Sequence, residues 1–390
     1  MLTALGDDGR MADRFAIMCA SPSDVAPPRV AHALTRYGAE VCVVAPPESY
    51  ASLTRHKVAD ILMTFEEMVP RMPHIARMLA EDFGAHSVLM GDTAMFSAWT
   101  HLLRRADDAK LSDKTRAMIA RSLPPLAKAQ LIDDDAAFIA AQTGTTCSPP
   151  PSIANPSVAD AVRFADEIGY PVMLKRNAFA AGAGVTRCND ALQLTAAMND
   201  GRANPRDPGY VVQKYVAGEI YAVAISGVTG KPAAAFSFIK HVKMFGPHGQ
   251  ASVLKYAPRD DLLAHSAQMF ASLELNGFAG FDYIVDPDGR ASLMEINQCI
   301  VPKSHFSTCF GVDLAASMLA MLRGEPIPTP REPSHDYVAL FPNEWLRDPQ
   351  SPFLHQAFHD VPWEDPPVLA ALIQNQIDRR DPQNWYAPKA

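Results

Sequence analysis

The sequence contains no apolar run of about 18 residues or more, which excludes an ordinary membrane-spanning helix. Its six cysteines (Cys19, Cys42, Cys147, Cys188, Cys299 and Cys309) include no Cys-x-x-Cys pair. That argues against a zinc ribbon and, at this length, against a disulfide scaffold, so reduced thiols are expected. Basic residues are not in excess: 35 Lys+Arg against 43 Asp+Glu give a net charge of −8. A dedicated nucleic-acid binder needs a basic face to displace counterions, so that class is set aside. No G-x-x-x-x-G-K-[ST] stretch occurs, which removes a P-loop NTPase. The turn after the first expected strand, Ala20-Ser-Pro-Ser-Asp24, lacks the glycines that a dinucleotide pyrophosphate requires, which speaks against an NAD-dependent oxidoreductase. Glycine itself is scarce beside proline, 21 against 33. Met1 to Arg14 is polar, carries Asp7, Asp8 and Asp13, and has no apolar signal-peptide core, so a cytoplasmic protein is expected.

What is present is ordinary globular composition, 48% hydrophobic, in a chain of 390 residues, enough for two or three lobes. The first hundred residues alternate strand and helix patterns. Phe15–Cys19, Val41–Ala45, Asp60–Phe65 and Ser87–Met90 read as strands, with helices at Arg29–Tyr37 and from about Pro73 to Phe83. Such alternation implies βαβ units and a parallel sheet, which binds ligands at the carboxyl ends of its strands. Helical patterns follow at Ser112–Leu123 and Asp133–Gln142, then a stiff linker, Cys147-Ser-Pro-Pro-Pro151. A second α/β region begins with a helix at Val158–Ile168, capped by Asn155 or Ser157, and strands at Tyr170–Lys175 and Tyr210–Tyr215. Further strands are expected at Tyr221–Ser226, Ala233–Ile239, Phe281–Val285 and Ala291–Ile296. Beyond Glu325 the chain holds 12 of its prolines and little periodicity, so an irregular wrap is expected there. His355 and His359 have the spacing of a helical zinc pair, but no third ligand accompanies them.

The segment Phe281 to Asn297 is the most informative. Asp288-Gly289 predicts a two-residue hairpin turn with Pro287 facing Arg290. Counting back from it sets Asp282 opposite Glu295, with Asn297 on the same face. Directly opposed like charges are destabilising, so two carboxylates and an amide oxygen together ask for a cation, and hard oxygens suit Mg²⁺. A loop of odd length would separate the two acids onto opposite faces. The plainer alternative is a surface hairpin with incidental acids.

These residues resemble the ATP-grasp superfamily of ATP-dependent ligases, whose metal hairpin carries an acid on one strand and E-x-N on the return strand. Other pieces fall in the family's order across about Ala137 to Leu322. Gly169-Tyr-Pro-Val-Met-Leu-Lys175 resembles the strand whose lysine contacts ATP phosphates. Asn177 to Val185, with Gly182 and Gly184, is similar to the glycine loop that folds over them. Val211 to Gly218 resembles the hinge strand. The resemblance implies that Gln213 meets the adenine amino group, that Lys214, Tyr215 and Val216 edge the ring and that Met294 packs on its face. It implies Asp282, Glu295 and Asn297 as ligands of two Mg²⁺ ions, with Mn²⁺ as an alternative. Lys255-Tyr256 resembles a family lysine near the γ-phosphate, Lys240 and Lys243 lie on or near the same segment, and Lys243, Lys255 and Lys303 are the candidate catalytic lysines.

The sequence departs from the pattern in places. The family's lysine before the linker is absent from Asp133-Asp134-Asp135, with Lys128 upstream as a replacement. Ile220 stands where a ribose-binding Glu is usual, and Glu219 lies one residue early. Cys299 and Gly280 occupy places where an arginine is common, leaving Lys303, His305 or Arg259 to supply that charge. The implied fold is α/β: an N-terminal Rossmann-like lobe (1–110), a helical connection (111–148), a lid lobe (149–215), an antiparallel-sheet catalytic lobe (216–325) and a C-terminal extension (326–390). The implied reaction activates a small-molecule carboxylate as an acyl phosphate and joins it to an amine, with amino acids or small metabolites as substrates. The Lys303–His305 turn is expected to line the acceptor site, and a homodimer is one assembly open to the chain. A non-catalytic ATP-binding module of the same fold is the alternative.

Overall fold

The computed structural model describes residues 13–380 apart from 106–109, 143, 177–183, 202–208, 245–248 and 307–308. In the N-terminal lobe β1 (Arg14–Met18), β2 (Glu40–Ala45), β3 (Ala59–Leu62) and β4 (Ser87–Met90) form a parallel sheet of order β3-β2-β1-β4. The unbroken apolar runs of β1, β2 and β4 are buried, as parallel strands covered on both faces must be. Prolines 70 and 73 suggest a late helix start, yet the helix runs Phe65–Arg77 and takes the end of the expected third strand. Its start is set by a capping box between Thr64 and Glu67, which satisfies two orphan N–H groups.

The stretch expected as a lid lobe holds an antiparallel sheet of β5 (Ser152–Ala154), β6 (Val172–Arg176), β7 (Val185–Cys188) and β8 (Tyr210–Lys214), in the order β5-β8-β6-β7. Val172, Leu174, Cys188 and Val212 alternate onto one face and pack with the helices Val158–Ile168 and Ala191–Gly201. The first of these helices is capped by the Ser157 hydroxyl, which accepts from the Asp160 N–H at 3.1 Å.

The central sheet has seven strands: β9 (Glu219–Val228), β10 (Lys231–Lys243), β11 (Ala251–Tyr256), β12 (Gly277–Val285), β13 (Ala291–Asn297), β14 (Tyr337–Leu340) and β15 (Phe358–Asp360). Their order is β13-β12-β9-β10-β11-β14-β15, antiparallel except between β14 and β15. One face, with Ala222, Ala224, Phe236, Phe238 and Leu254, packs with Phe306, Phe310 and the helix Leu314–Arg323. The other, with Val223, Phe281, Tyr283 and Leu293, packs with the helix Asp260–Ser272. The proline-rich tail is more regular than its composition suggests. It adds β14 and β15 to this sheet, and its last described element is a helix, Pro366–Arg380. Among the described residues, no helix is long and apolar enough to cross a membrane.

Candidate active site

The hairpin between β12 and β13 brings Asp282 and Glu295 together by a route different from the expected one. The loop is Pro287-Asp288-Gly289, three residues rather than two. Asp286 N–H donates to the Arg290 carbonyl at 3.0 Å, and Gly289 N–H to the Asp286 carbonyl at 2.9 Å. Gly289 has φ of +82°, a left-handed conformation that glycine adopts without strain. Pairing then runs Val285–Ala291, Ile284–Ser292 and Tyr283–Leu293. Continued without interruption it would bury Glu295 among the apolar side chains beside Phe281, because a one-residue slip turns every side chain over. A bulge at Met294 absorbs one residue and restores the pairs Asp282–Glu295, Phe281–Ile296 and Gly280–Asn297. The odd loop and the bulge cancel, and both carboxylates share a face with Asn297.

Cations gather on the same face. Asp282 pairs across β9 with Ala222, and Ala222 with Phe238 of β10, so Lys240, two residues on, lies in the adjacent row. Its ammonium donates to Asp282 Oδ2 in an ion pair whose side chains are about one-fifth exposed. Burial alone would lower the Lys240 pKa, but the Asp282 charge and hydrogen bond, then Glu295, raise it above its ordinary value. Lys243 is pushed down by burial and by Lys240, with Asp282 opposing. Lys303, in the turn after β13, has its ammonium 5.6 Å from the Phe238 ring centroid. Burial and then Lys240 lower its pKa to about 8, against the pull of Asp282, Glu295 and Asp24.

Asp24 belongs to the N-terminal lobe, which presents the carboxyl ends of β1 and β4 to this site. In the order β3-β2-β1-β4 the chain reverses direction between β1 and β4, where doubly wound sheets open a crevice. Asp92 Oδ2 accepts from Ala20 N–H at 2.6 Å and Ser21 N–H at 3.0 Å, tying the two strand ends together. Ile300 N–H donates to the Met90 carbonyl at 2.7 Å and fastens the turn after β13 to β4. Burial, with Asp92 adding to it, raises the Asp24 pKa to about 6. Asp24 and Asp92 did not figure among the expected site residues. Their signal is position, immediately after the first and fourth parallel strands.

The remaining expected residues divide by the face they occupy. Lys255 pairs with Ile239, and Ile239 with Tyr221, so it stands on the opposite face from Asp282. Glu219 pairs with Val285 on that opposite face, while Ile220 shares the Asp282 face through Ile284. Arg259 is held by Asp261 at 2.6 Å and lies over the Tyr221 ring. Lys128 is ion-paired with Glu274 at 2.6 Å, before the start of β12. His355 and His359 fall on a short helix and on β15, not on one helix face. In the lid, Lys175 pairs with Val211 and Met173 with Gln213, which puts Lys175 and Gln213 on the face turned from the two lid helices. Lys214 alternates to the other side and is exposed, whereas Tyr215 and Val216 are half-buried in the connection to β9. Tyr215 N–H donates to the Pro171 carbonyl at 3.2 Å, and the Arg187 guanidinium covers its ring at 4.3 Å. Gly218 passes so close to β12 that a Cβ there would lie 2.2 Å from the Val285 carbonyl oxygen. Gly184, whose carbonyl accepts from Arg176 N–H at 2.9 Å, closes the glycine loop. Gly182 lies outside the described residues.

Two features fit the groups that the sequence implies. Gln213 is fully buried; its Nε2 donates to Ser152 Oγ at 2.9 Å, and its Oε1 has no partner among the described residues. A buried orphan acceptor is costly and wants a donor, which an exocyclic amino group provides. Asp282 and Glu295 face each other, and the Lys240 ammonium pairs with the first and feels the charge of the second, so the position attracts a cation. Among the described residues no three His, Cys, Asp or Glu side chains gather as a metal cage. Two carboxylates and an amide leave other coordination positions to phosphate oxygens and water, the arrangement Mg²⁺ prefers.

Comparison with known proteins bears on this geometry. Residues 134–219 match the family described as carbamoyl-phosphate synthase L chain, ATP binding domain, a span containing the whole lid sheet. The biotin carboxylase domain of 2-oxoglutarate carboxylase from Hydrogenobacter thermophilus, a dimer with MgADP, ADP and bicarbonate, superposes with a TM-score of 0.62 at 17% identity. The match covers 84% of this chain and 74% of that one. The chain has the ATP-grasp fold. N5-carboxyaminoimidazole synthetase from Staphylococcus aureus shares this ATP-grasp architecture with a TM-score of 0.58 at 12% identity, over 81% and 78% of the two chains. L-amino acid ligase from Bacillus licheniformis does so with 0.55 at 15% identity, over 82% and 75%.

Proposed function

We propose that this ATP-grasp chain is an ATP- and Mg²⁺-dependent ligase that activates a carboxylate as an acyl phosphate and joins it to an amine. The observation that carries the reading is the opposed pair Asp282 and Glu295, set with Lys240 and Lys303 in one field of charge. Gln213 would accept a hydrogen bond from the adenine amino group, and Lys175 would meet the phosphates. Asp282, Glu295 and Asn297 would hold Mg²⁺, which neutralises phosphate charge when bound. Lys240, Lys243 and Lys303 would share the charge of the γ-phosphoryl group. The acid's carboxylate oxygen attacks the γ-phosphorus and ADP leaves. The amine then displaces phosphate from the acyl carbon. Positioning and charge neutralisation suffice for such chemistry, and no nucleophilic side chain is needed. The acid would enter at the carboxyl ends of β1 and β4, beside Asp24. Amino acids and small metabolites are the substrate class proposed, and the lobe boundaries near 110, 148, 215 and 325 belong to the same proposal. A dimer, the state of the Hydrogenobacter neighbour, is the assembly to look for.

The test is ADP release by the full chain given ATP, Mg²⁺ and a panel of acids and amines. Release that depends on both an acid and an amine, and disappears in Asp282→Asn, supports the ligase. A second reading, ATP binding without chemistry, is favoured by the distant placement of Lys128 and Glu219 and by Cys299 and Gly280 at the arginine positions. Calorimetric ATP binding with no ADP from any acid–amine pair would decide for it.

A further inference from the structure

His305 is a buried titratable group that the scheme above leaves without a task. Its side chain is 9% exposed, and its Nε2 lies 2.8 Å from Asp360 Oδ1. Asp360, 8% exposed, also receives the Arg29 guanidinium, whose Nη1 donates to the Asp360 carbonyl at 3.2 Å. His305 Nδ1 is buried and has no hydrogen-bond partner among the described residues. Burial would raise the Asp360 pKa, but Arg29 and then His305 hold it below its ordinary value. A carboxylate only accepts, so Nε2 carries a proton, and in the neutral ring Nδ1 is then a bare lone pair. Three elements meet here. Arg29 comes from the helix Ala26–Thr35, His305 from the turn after β13, and Asp360 from the proline-rich extension. The turn is pinned by Val301 N–H to Ser304 Oγ at 3.0 Å and Ser304 N–H to the Val301 carbonyl at 2.9 Å. It carries Lys303 as well, so the His305 backbone is at most about 7 Å from that of a lysine within the Asp282–Glu295 field.

We propose that His305 is the base for the amine substrate, with Nδ1 accepting the proton that the amine loses and Asp360 and Arg29 fixing the tautomer. The proposal rests on the ligase reading. The amine lone pair attacks the acyl carbon and a C–N bond forms. The C–O bond to phosphate breaks, and its electron pair leaves on inorganic phosphate. The surplus proton on nitrogen passes to Nδ1, and the imidazolium is balanced by Asp360. The charged groups facing the ring are Asp360, Arg29 and Glu364, and burial keeps the imidazole below its ordinary pKa, hence neutral and able to accept. On this reading the C-terminal extension completes the acceptor site.

The experiment separates activation of the acid from use of the amine. The full chain is given ATP, Mg²⁺ and the common L-amino acids, and the amide product is measured. In parallel, hydroxylamine, a nucleophile already neutral at neutral pH, traps the acyl phosphate as hydroxamate. His305→Gln, which keeps a donor for Asp360, should lower amide formation about 100-fold and leave hydroxamate unchanged. Asp360→Asn should lower amide formation less and displace its pH profile. Equal losses of amide and hydroxamate in both variants, or undiminished amide, overturn the proposal. A second measurement needs no turnover: ¹⁵N-histidine NMR, with the His305 signals assigned by their loss in His305→Gln. A protonated Nε2 and a bare Nδ1 that moves on adding ethylamine are expected. A protonated Nδ1, or one indifferent to ethylamine, counts against the base. No hydroxamate from wild type together with an ethylamine response would mean that the ligase reading fails and the amine site stands.

Discussion

On one face of the central sheet Asp282, Glu295, Asn297 and Lys240 stand in adjacent rows. On the other, Glu219, Lys255 and Tyr283 occupy comparable positions, with the helix Asp260–Ser272 packed over Tyr283. The two faces handle polarity differently. The Tyr283 hydroxyl lies 2.8 Å from Ser266 Oγ and 3.0 Å from His265 Nδ1, so its needs are met by neutral partners inside a core. The first face concentrates charge: two opposed carboxylates, and a Lys240 ammonium that lowers the pKa of Lys243 and Lys303. Such crowding costs stability and is retained where a ligand resolves it. The comparison teaches that residue type alone does not locate the site; the face does.

The sharpest way to break the comparison is to neutralise one acid on each face. Asp282→Asn and Glu295→Gln should each lower ADP release about 1,000-fold, the worth of several kcal/mol of phosphate neutralisation. Glu295→Gln relieves the opposed charge and should leave thermal unfolding unchanged or raised, whereas Asp282→Asn also strips Lys240 of its ion-pair partner and should lower it. Glu219→Gln and Lys255→Met should stay within about threefold of wild type, as substitutions outside the reacting field do. A loss in Lys255→Met as large as that in Asp282→Asn would erase the distinction.

The opposite face should respond in stability instead. Tyr283→Phe leaves Ser266 and His265 without their partner and should cost about 1–3 kcal/mol in urea unfolding. ATP affinity by calorimetry should not change. An altered ATP affinity at full stability would mean that the second face reaches the nucleotide.

A pH titration sharpens the first face. Lys303 has its pKa lowered to about 8, so its ammonium, the form that attracts anions, is lost as pH rises through that value. The KM for the anionic acid should therefore climb above about pH 8, nearing tenfold per unit if the charge is essential. Lys303→Arg keeps its charge at every working pH and should remove that limb of the profile. A wild-type KM that is flat to pH 10 would detach Lys303 from the acid.

The sequence made the hairpin legible because Asp288-Gly289 is a local signal and its consequence is local. Even there two errors cancelled, since a three-residue loop and a bulge at Met294 replaced the assumed two-residue turn. The placement of Lys255 was not legible. It depends on the pairing of β10 with β11, which a bulge between Lys240 and Lys243 interrupts, and on pairing with β9. The pair His305 and Asp360 lies 55 residues apart in sequence, beyond any motif. The helix Asp260–Ser272 went unread although Asp260 and Asp261 in its first turn are a start signal. In the tail, proline frequency masked Tyr337–Leu340, a four-residue strand too short to show alternation.

Lys128 offers the smallest effect and the finest discrimination. The sequence proposes it as the stand-in for a family lysine near the phosphates, because the position after Asp133 holds only acids. Its partner Glu274 sits before β12, and Asp282 lies five residues beyond the first residue of that strand, roughly 17 Å along it. A lysine engaged there is remote from the carboxylate pair. Both side chains are substantially exposed, 34% and 54%, so water screens the ion pair. Lys128→Met should therefore change unfolding free energy by less than about 1 kcal/mol and ATP affinity by less than about twofold. A tenfold loss of ATP affinity would return Lys128 to the phosphates and require the Glu274 pair to open when nucleotide binds. An unchanged affinity would leave phosphate binding to Lys175 and to Lys240, Lys243 and Lys303 around the Asp282–Glu295 pair.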